Sequence, residues 1–155
     1  MSKGFRIQSS FELLITLSIG LAVLLPIVVI AFVQISSATS SLSAIESQQA
    51  ASKMTAIATL VGSEGPPAKQ LIQLTIPNGV QFIYVGGLNN TLGNEVIFEV
   101  SSPRGLSYIT SYTPINITGN LGGITSQGTY LVNISAQSTC PGYSSASCVY
   151  ISPVV

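Results

Sequence analysis

From Leu13 to Val33 the chain carries no charge, and only Thr16 and Ser18 interrupt its apolar side chains, with Gly20 and Pro26 inside the run. About twenty residues of helix cross a hydrocarbon core of roughly 30 Å, so this run predicts a membrane-spanning helix. Beyond Val33 the apolar positions thin out but keep a helical spacing. Ile35, Ala38, Leu42, Ile45, Ala50, Met54, Ile57 and Val61 recur mostly every three or four residues, with Ser, Gln, Glu46 and Lys53 between them. That spacing predicts that the helix continues with one apolar stripe, packed on a domain or on neighbouring helices. Residues 8–62 thus read as one long helix, whose two stretches together make roughly fifty residues, about 75 Å at 1.5 Å per residue. Pro26 lacks the backbone donor of its turn and is expected to kink or locally loosen the helix. Gly62 and the Gly65-Pro66-Pro67 sequence are expected to stop it.

From Gln70 onward the period changes to two. Ile72, Leu74 and Ile76 alternate with Gln73 and Thr75, Val96, Phe98 and Val100 with Ile97 and Glu99, and Tyr130, Val132 and Ile134 with Leu131 and Asn133. Alternation of this kind predicts half-buried strands. Further strands are expected at Val80 to Val85, Leu106 to Tyr112, Ile115 to Ile117 and Val149 to Ser152. Turn residues separate them at Pro77-Asn78-Gly79, Gly86-Gly87, Pro103-Arg104-Gly105 and Gly122-Gly123. About seven short strands without an intervening helix predict a small sandwich or rolled sheet. The fold class is therefore α+β: a long N-terminal hydrophobic helix followed, over residues 68–155, by a small antiparallel β-sandwich-like domain.

Charge narrows the functional classes. Lysine plus arginine number five, all five acids are glutamate, and histidine is absent. Such a chain has no electrostatic footprint for nucleic acid. Without histidine or aspartate a serine nucleophile lacks its usual base and orienting acid, the glutamates are scattered, and no phosphate-binding glycine motif is present. Neither enzyme activity nor a cofactor is expected. Lys3 and Arg6 precede the apolar run and no positive charge follows it closely, which places the N-terminus in the cytoplasm and the rest outside. A secretory signal peptide is the competing reading, but the run is long for one. The small residues at Ser36 to Ser41 are also followed by more helix-compatible sequence.

Cys140 and Cys148 flank a short loop containing Pro141-Gly142, and an extracellular setting lets a disulfide persist. Closing so short a loop contributes roughly 2 to 3 kcal/mol in the chain-entropy model. Zinc is the alternative, yet no histidine and no third cysteine exist to complete its shell. Three sequons, at Asn89, Asn116 and Asn133, are candidate N-glycosylation sites: Asn89 in a turn, the other two on the outward phase of their strands.

Glu12 breaks the apolar pattern at the edge of the span, where a carboxylate is costly unless it pairs or reaches the interface. With its neighbours it reads Gln8-Ser9-Ser10-Phe11-Glu12, followed at once by Leu13-Leu14-Ile15. This resembles the Q-x-S-x-E motif of archaeal class III prepilin signal sequences, over about the first thirty-five residues: a short basic leader, the motif, then the apolar run. The resemblance implies a type IV pilin-like protein whose leader, residues 1–7, is removed by a prepilin peptidase between Ile7 and Gln8, leaving Glu12 as the fifth mature residue. Many such leaders carry glycine or alanine before the cut, where this chain has Ile7. A cut after Gly4 is the rival, and would leave Phe5 first and Glu12 eighth. The resemblance further implies that the precursor sits in the cytoplasmic membrane, that its partners are the pilus assembly machinery and other copies of itself, and that Glu12 guides assembly into a helical, adhesive homopolymer. An archaellin-type motility filament and a monomeric membrane-anchored surface-binding protein are the alternatives.

Overall fold

The computed structural model describes residues 4–102, 105–143 and 146–154, with side chains from Ser10 onward. The chain divides into two compact units, Met1–Thr39 and Ser40–Val155. Helix α1 spans Gly4–Glu64. It is unbroken at Pro26, so the missing N–H leaves the Ala22 carbonyl without its usual donor but does not end the helix. Its end comes where Gly65 turns to φ 74° and its N–H bonds the Val61 carbonyl at 3.2 Å, a left-handed cap that glycine enters without a Cβ penalty.

Six strands follow: β1 (Lys69–Ile76), β2 (Val80–Gly86), β3 (Gly93–Ser102), β4 (Gly105–Gly119), β5 (Gly128–Gln137) and β6 (Cys148–Pro153). The α+β reading holds, and the sheet differs in detail from the expected one. Leu106 to Tyr112 and Ile115 to Ile117 are not separate strands but two parts of β4. Tyr112 stands opposite Glu95 while Ile117 stands opposite Gly93, so Pro114 lies in an irregularity of the ladder, where its missing donor breaks no pair. All strands form a single sheet in the order β1-β5-β6-β4-β3-β2. The C-terminal strand β6 fills the gap between β4 and β5, antiparallel to β5 and parallel to β4 over Ile117 to Gly119, which makes the sheet mixed.

The covering layer is the last third of α1 and not a second sheet. Ala50, Ala51, Met54, Ala58 and Val61 form one core with Ile72, Leu74, Ile76, Ile83, Val85, Phe98, Val132, Ile134 and Ile151. Alanines keep the helix surface low. Gly62 extends that close approach and does not stop the helix: a Cβ there would collide with Ile115 and crowd Val149. Two hydroxyl pairs tie helix to sheet, Thr55 with Ser111 and Thr59 with Thr113, each at 2.9 Å. The threonines also bond back to carbonyls of their own helix, so these sheltered polar atoms are satisfied. The apolar stripe read from the sequence therefore splits. Met54 is fully buried, whereas Leu42 and Ile45 remain 55% and 56% exposed.

Candidate functional site: an uncovered apolar helix

Within the first unit, every large apolar side chain from Phe11 to Val33 is between 46% and 74% exposed. A soluble protein rarely leaves more than a few hundred Å² of contiguous apolar surface uncovered, so this segment calls for lipid or other helices around it. The helix is long and apolar enough to serve as a membrane anchor. Its polar atoms are already accommodated. Thr16 Oγ1 donates to the Glu12 and Leu13 carbonyls, each at 3.0 Å, and Ser18 Oγ to the Leu14 carbonyl at 2.8 Å. Hydroxyls bonded back to their own helix cost little in an apolar medium.

Glu12 sits at the N-terminal edge of this surface, exposed. Ile7 and Gln8 lie within α1, and their side chains fall outside the described ones. Cys140 and Cys148 are joined by a disulfide with their Cα atoms 5.6 Å apart, which ties the loop before β6 to the first residue of that strand. The Cys140 N–H bonds the Ala146 carbonyl at 2.9 Å, and Tyr143 Oη accepts the Leu92 N–H at 3.3 Å, linking this loop to the one before β3. Asn89 lies in the β2–β3 turn at φ 67° and is exposed, as is Asn116 on β4, while Asn133 is half-buried on β5. The three sequons are thus spread over separate elements and do not form one site.

A second surface was not singled out from the sequence. On the face of the sheet away from α1, Phe82 and Tyr84 of β2 and Tyr108 and Tyr112 of β4 flank Glu95 and Glu99 of β3. The Phe82 and Tyr84 rings stack with centroids 6.0 Å apart. Tyr84 Oη donates to Glu99 Oε2 at 3.3 Å. Partial burial and the adjacent Glu99 carboxylate hold the Tyr84 phenol above its ordinary pKa, keeping it neutral well into the alkaline range. Cross-strand register would have given this cluster away, but alternation alone does not supply register. Among the described residues no three His, Cys, Asp or Glu side chains come together as metal ligands. A surface hollow of about 260 Å³ beside the disulfide, lined in part by Gly62, Asn116, Gln137 and Cys148, has no ionisable side chain in its walls. Compared with models of protein families, with curated proteins and with solved structures, the chain has no significant match.

Proposed function

We infer that this chain is a structural subunit of an extracellular, type IV pilus-like filament, held in the membrane by its apolar helix before assembly and by packing among like helices afterwards. The observation that carries this reading is the asymmetry of α1. Its last third is consumed by the sheet, while Phe11 to Val33 is left bare on every side. A simple anchor needs only the bare segment; the leader motif and Glu12 at its edge add the assembly role. In this account the basic leader and Gln8 register set the cut, and the β-domain, with its disulfide and sequons, faces the exterior. If Gln8 is the mature N-terminus, its α-amino group is positive at neutral pH and pairs with Glu12 of an adjacent subunit inside the water-poor filament core.

Glu12→Gln tests this, since the amide keeps the shape and removes the charge. Membrane insertion and leader cleavage are expected to be normal, and filament yield sharply reduced, because the partner amine is left buried and unpaired. Filaments of normal number and length would remove the pairing role. A wild-type chain found only as a membrane-anchored monomer would instead favour a surface-binding protein, and loss of swimming on deletion a motility filament.

A further inference from the structure

The two edges of the sheet are not equivalent. On β1, Gln73 stands opposite Leu131, whose carbonyl is taken by the Val154 N–H on the far side of β5. The pair therefore exchanges no hydrogen bonds, and the Gln73 carbonyl points off the open edge. Lys53 Nζ donates to that carbonyl at 2.7 Å. A charged side chain laid over an edge acceptor hinders another strand from adding there. Among the described residues, the β2 edge carries no such plug at its centre. The Val85 N–H bonds Asn90 Oδ1 at 3.0 Å, so it points away from β3, and by alternation the N–H and carbonyl of Ile83 do the same.

Beside this edge lies the aromatic and acidic face. Glu99 is only 9% exposed, and among the described residues its one hydrogen bond comes from Tyr84 and it has no cation partner. Its cross-strand neighbours Phe82 and Tyr108 are 51% and 57% exposed, and Tyr112, opposite Glu95, is 74% exposed. A sheltered carboxylate that has no counter-charge among the described residues, ringed by open π faces, is complementary to an alkylammonium or guanidinium group. An added strand would lie about 10 Å from β3, two strand spacings away, within the combined reach of a lysine and a glutamate side chain.

We propose that the β2 edge and the adjoining face of β3 and β4 dock an extended, lysine- or arginine-bearing segment of a partner protein, whose backbone pairs with Ile83 and whose cationic side chains cross Phe82 and Tyr84 to reach Glu99 and Glu95. This goes beyond the filament reading and does not depend on it.

The test uses the full chain in non-ionic detergent micelles and a labelled peptide alternating lysine with threonine, followed by fluorescence anisotropy. Saturable binding is expected, weakened about tenfold by the Glu95→Gln, Glu99→Gln double substitution and several-fold by Phe82→Leu. A peptide N-methylated on alternate backbone nitrogens, with its charge intact, is expected to bind poorly, because it cannot add to the edge. Binding that is unchanged in the glutamine variant, or equal for a glutamate-containing peptide, would overturn the proposal. Displacement of the peptide by phosphatidylcholine vesicles would assign the face to a lipid headgroup and overturn it too. So would self-association of the chain that disappears in the same variant, because the occupant would then be a second copy.

Discussion

Truncating Met54 and Ile45 to alanine, one at a time, separates the part of α1 that holds the domain together from the part left for other molecules. The two residues belong to the same apolar stripe and lie nine positions apart. Met54 is 0% exposed and sits in the core under the sheet, whereas Ile45 is 56% exposed. Removing a buried methionine side chain costs about 2 to 5 kcal/mol through lost burial and the cavity left behind. Against a total stability of about 5 to 15 kcal/mol, that is a large share. For a unit of this size it corresponds to a fall in Tm of roughly 10 °C or more. Truncating Ile45 removes atoms that touch mostly solvent, and is expected to change domain stability by less than about 0.5 kcal/mol. Thermal unfolding in micelles, followed through the near-ultraviolet dichroism of the tyrosines, reads both. The filament account adds that Ile45→Ala lowers filament yield while leaving Tm unchanged. An equal fall in Tm for the two variants would show that Ile45 is covered within the molecule, and would refute the division of the helix.

Cys140 and Cys148 should resist alkylation in the secreted protein and react after reduction; free thiols without reduction would refute the bridge and weaken the extracellular placement. Lys53→Met should leave Tm nearly unchanged but raise self-association of micelle-held chains by opening the β1 edge at Gln73, seen as larger species in light scattering; unchanged association would show that the 2.7 Å bond protects nothing. Glu99→Gln should lower the pKa of Tyr84, since the carboxylate is one source of its upward shift, and an ultraviolet titration should show one phenol ionising earlier. Because the folded-state pKa of Tyr84 is raised, its contribution to stability is present below the unfolded phenol value and is lost as pH rises through the folded one. Alkaline unfolding that is insensitive to Glu99→Gln would contradict that coupling.

The elements were legible where one physical signal dominated. Residues 13–33 admit only an apolar environment, and the alternation in β1, β3 and β5 fixed which side chains face the core. Register and strand order were not legible, because period-two patterning says which face a residue takes and nothing about its neighbour. The parallel seat of β6 and the clustering of Phe82, Tyr84, Glu99 and Tyr108 both depend on order. Leu106 to Tyr112 and Ile115 to Ile117 read as two strands, yet a ladder irregularity lets β4 run on through Pro114. Gly62 read as a helix stop because a glycine near a helix end usually is one; the close approach of Ile115 needs the same residue for another reason. Thr55 and Thr59 carried no signal in the helical spacing, and only their partners Ser111 and Thr113, more than fifty positions away in the chain, explain why hydroxyls lie under the sheet. Of the candidate site, Glu12 and the apolar run were visible as a motif. The halfway division of the stripe, with Ile45 bare and Met54 buried, required the fold.

The central claim, that the chain is cut before Gln8 and assembled through the helix that follows, is tested most directly by peptide mass spectrometry on filaments sheared from the cell surface. The account predicts that the subunit in that fraction begins at Gln8 and retains Phe11 to Val33. A chain that keeps Met1, or one recovered only in the membrane fraction, would contradict it.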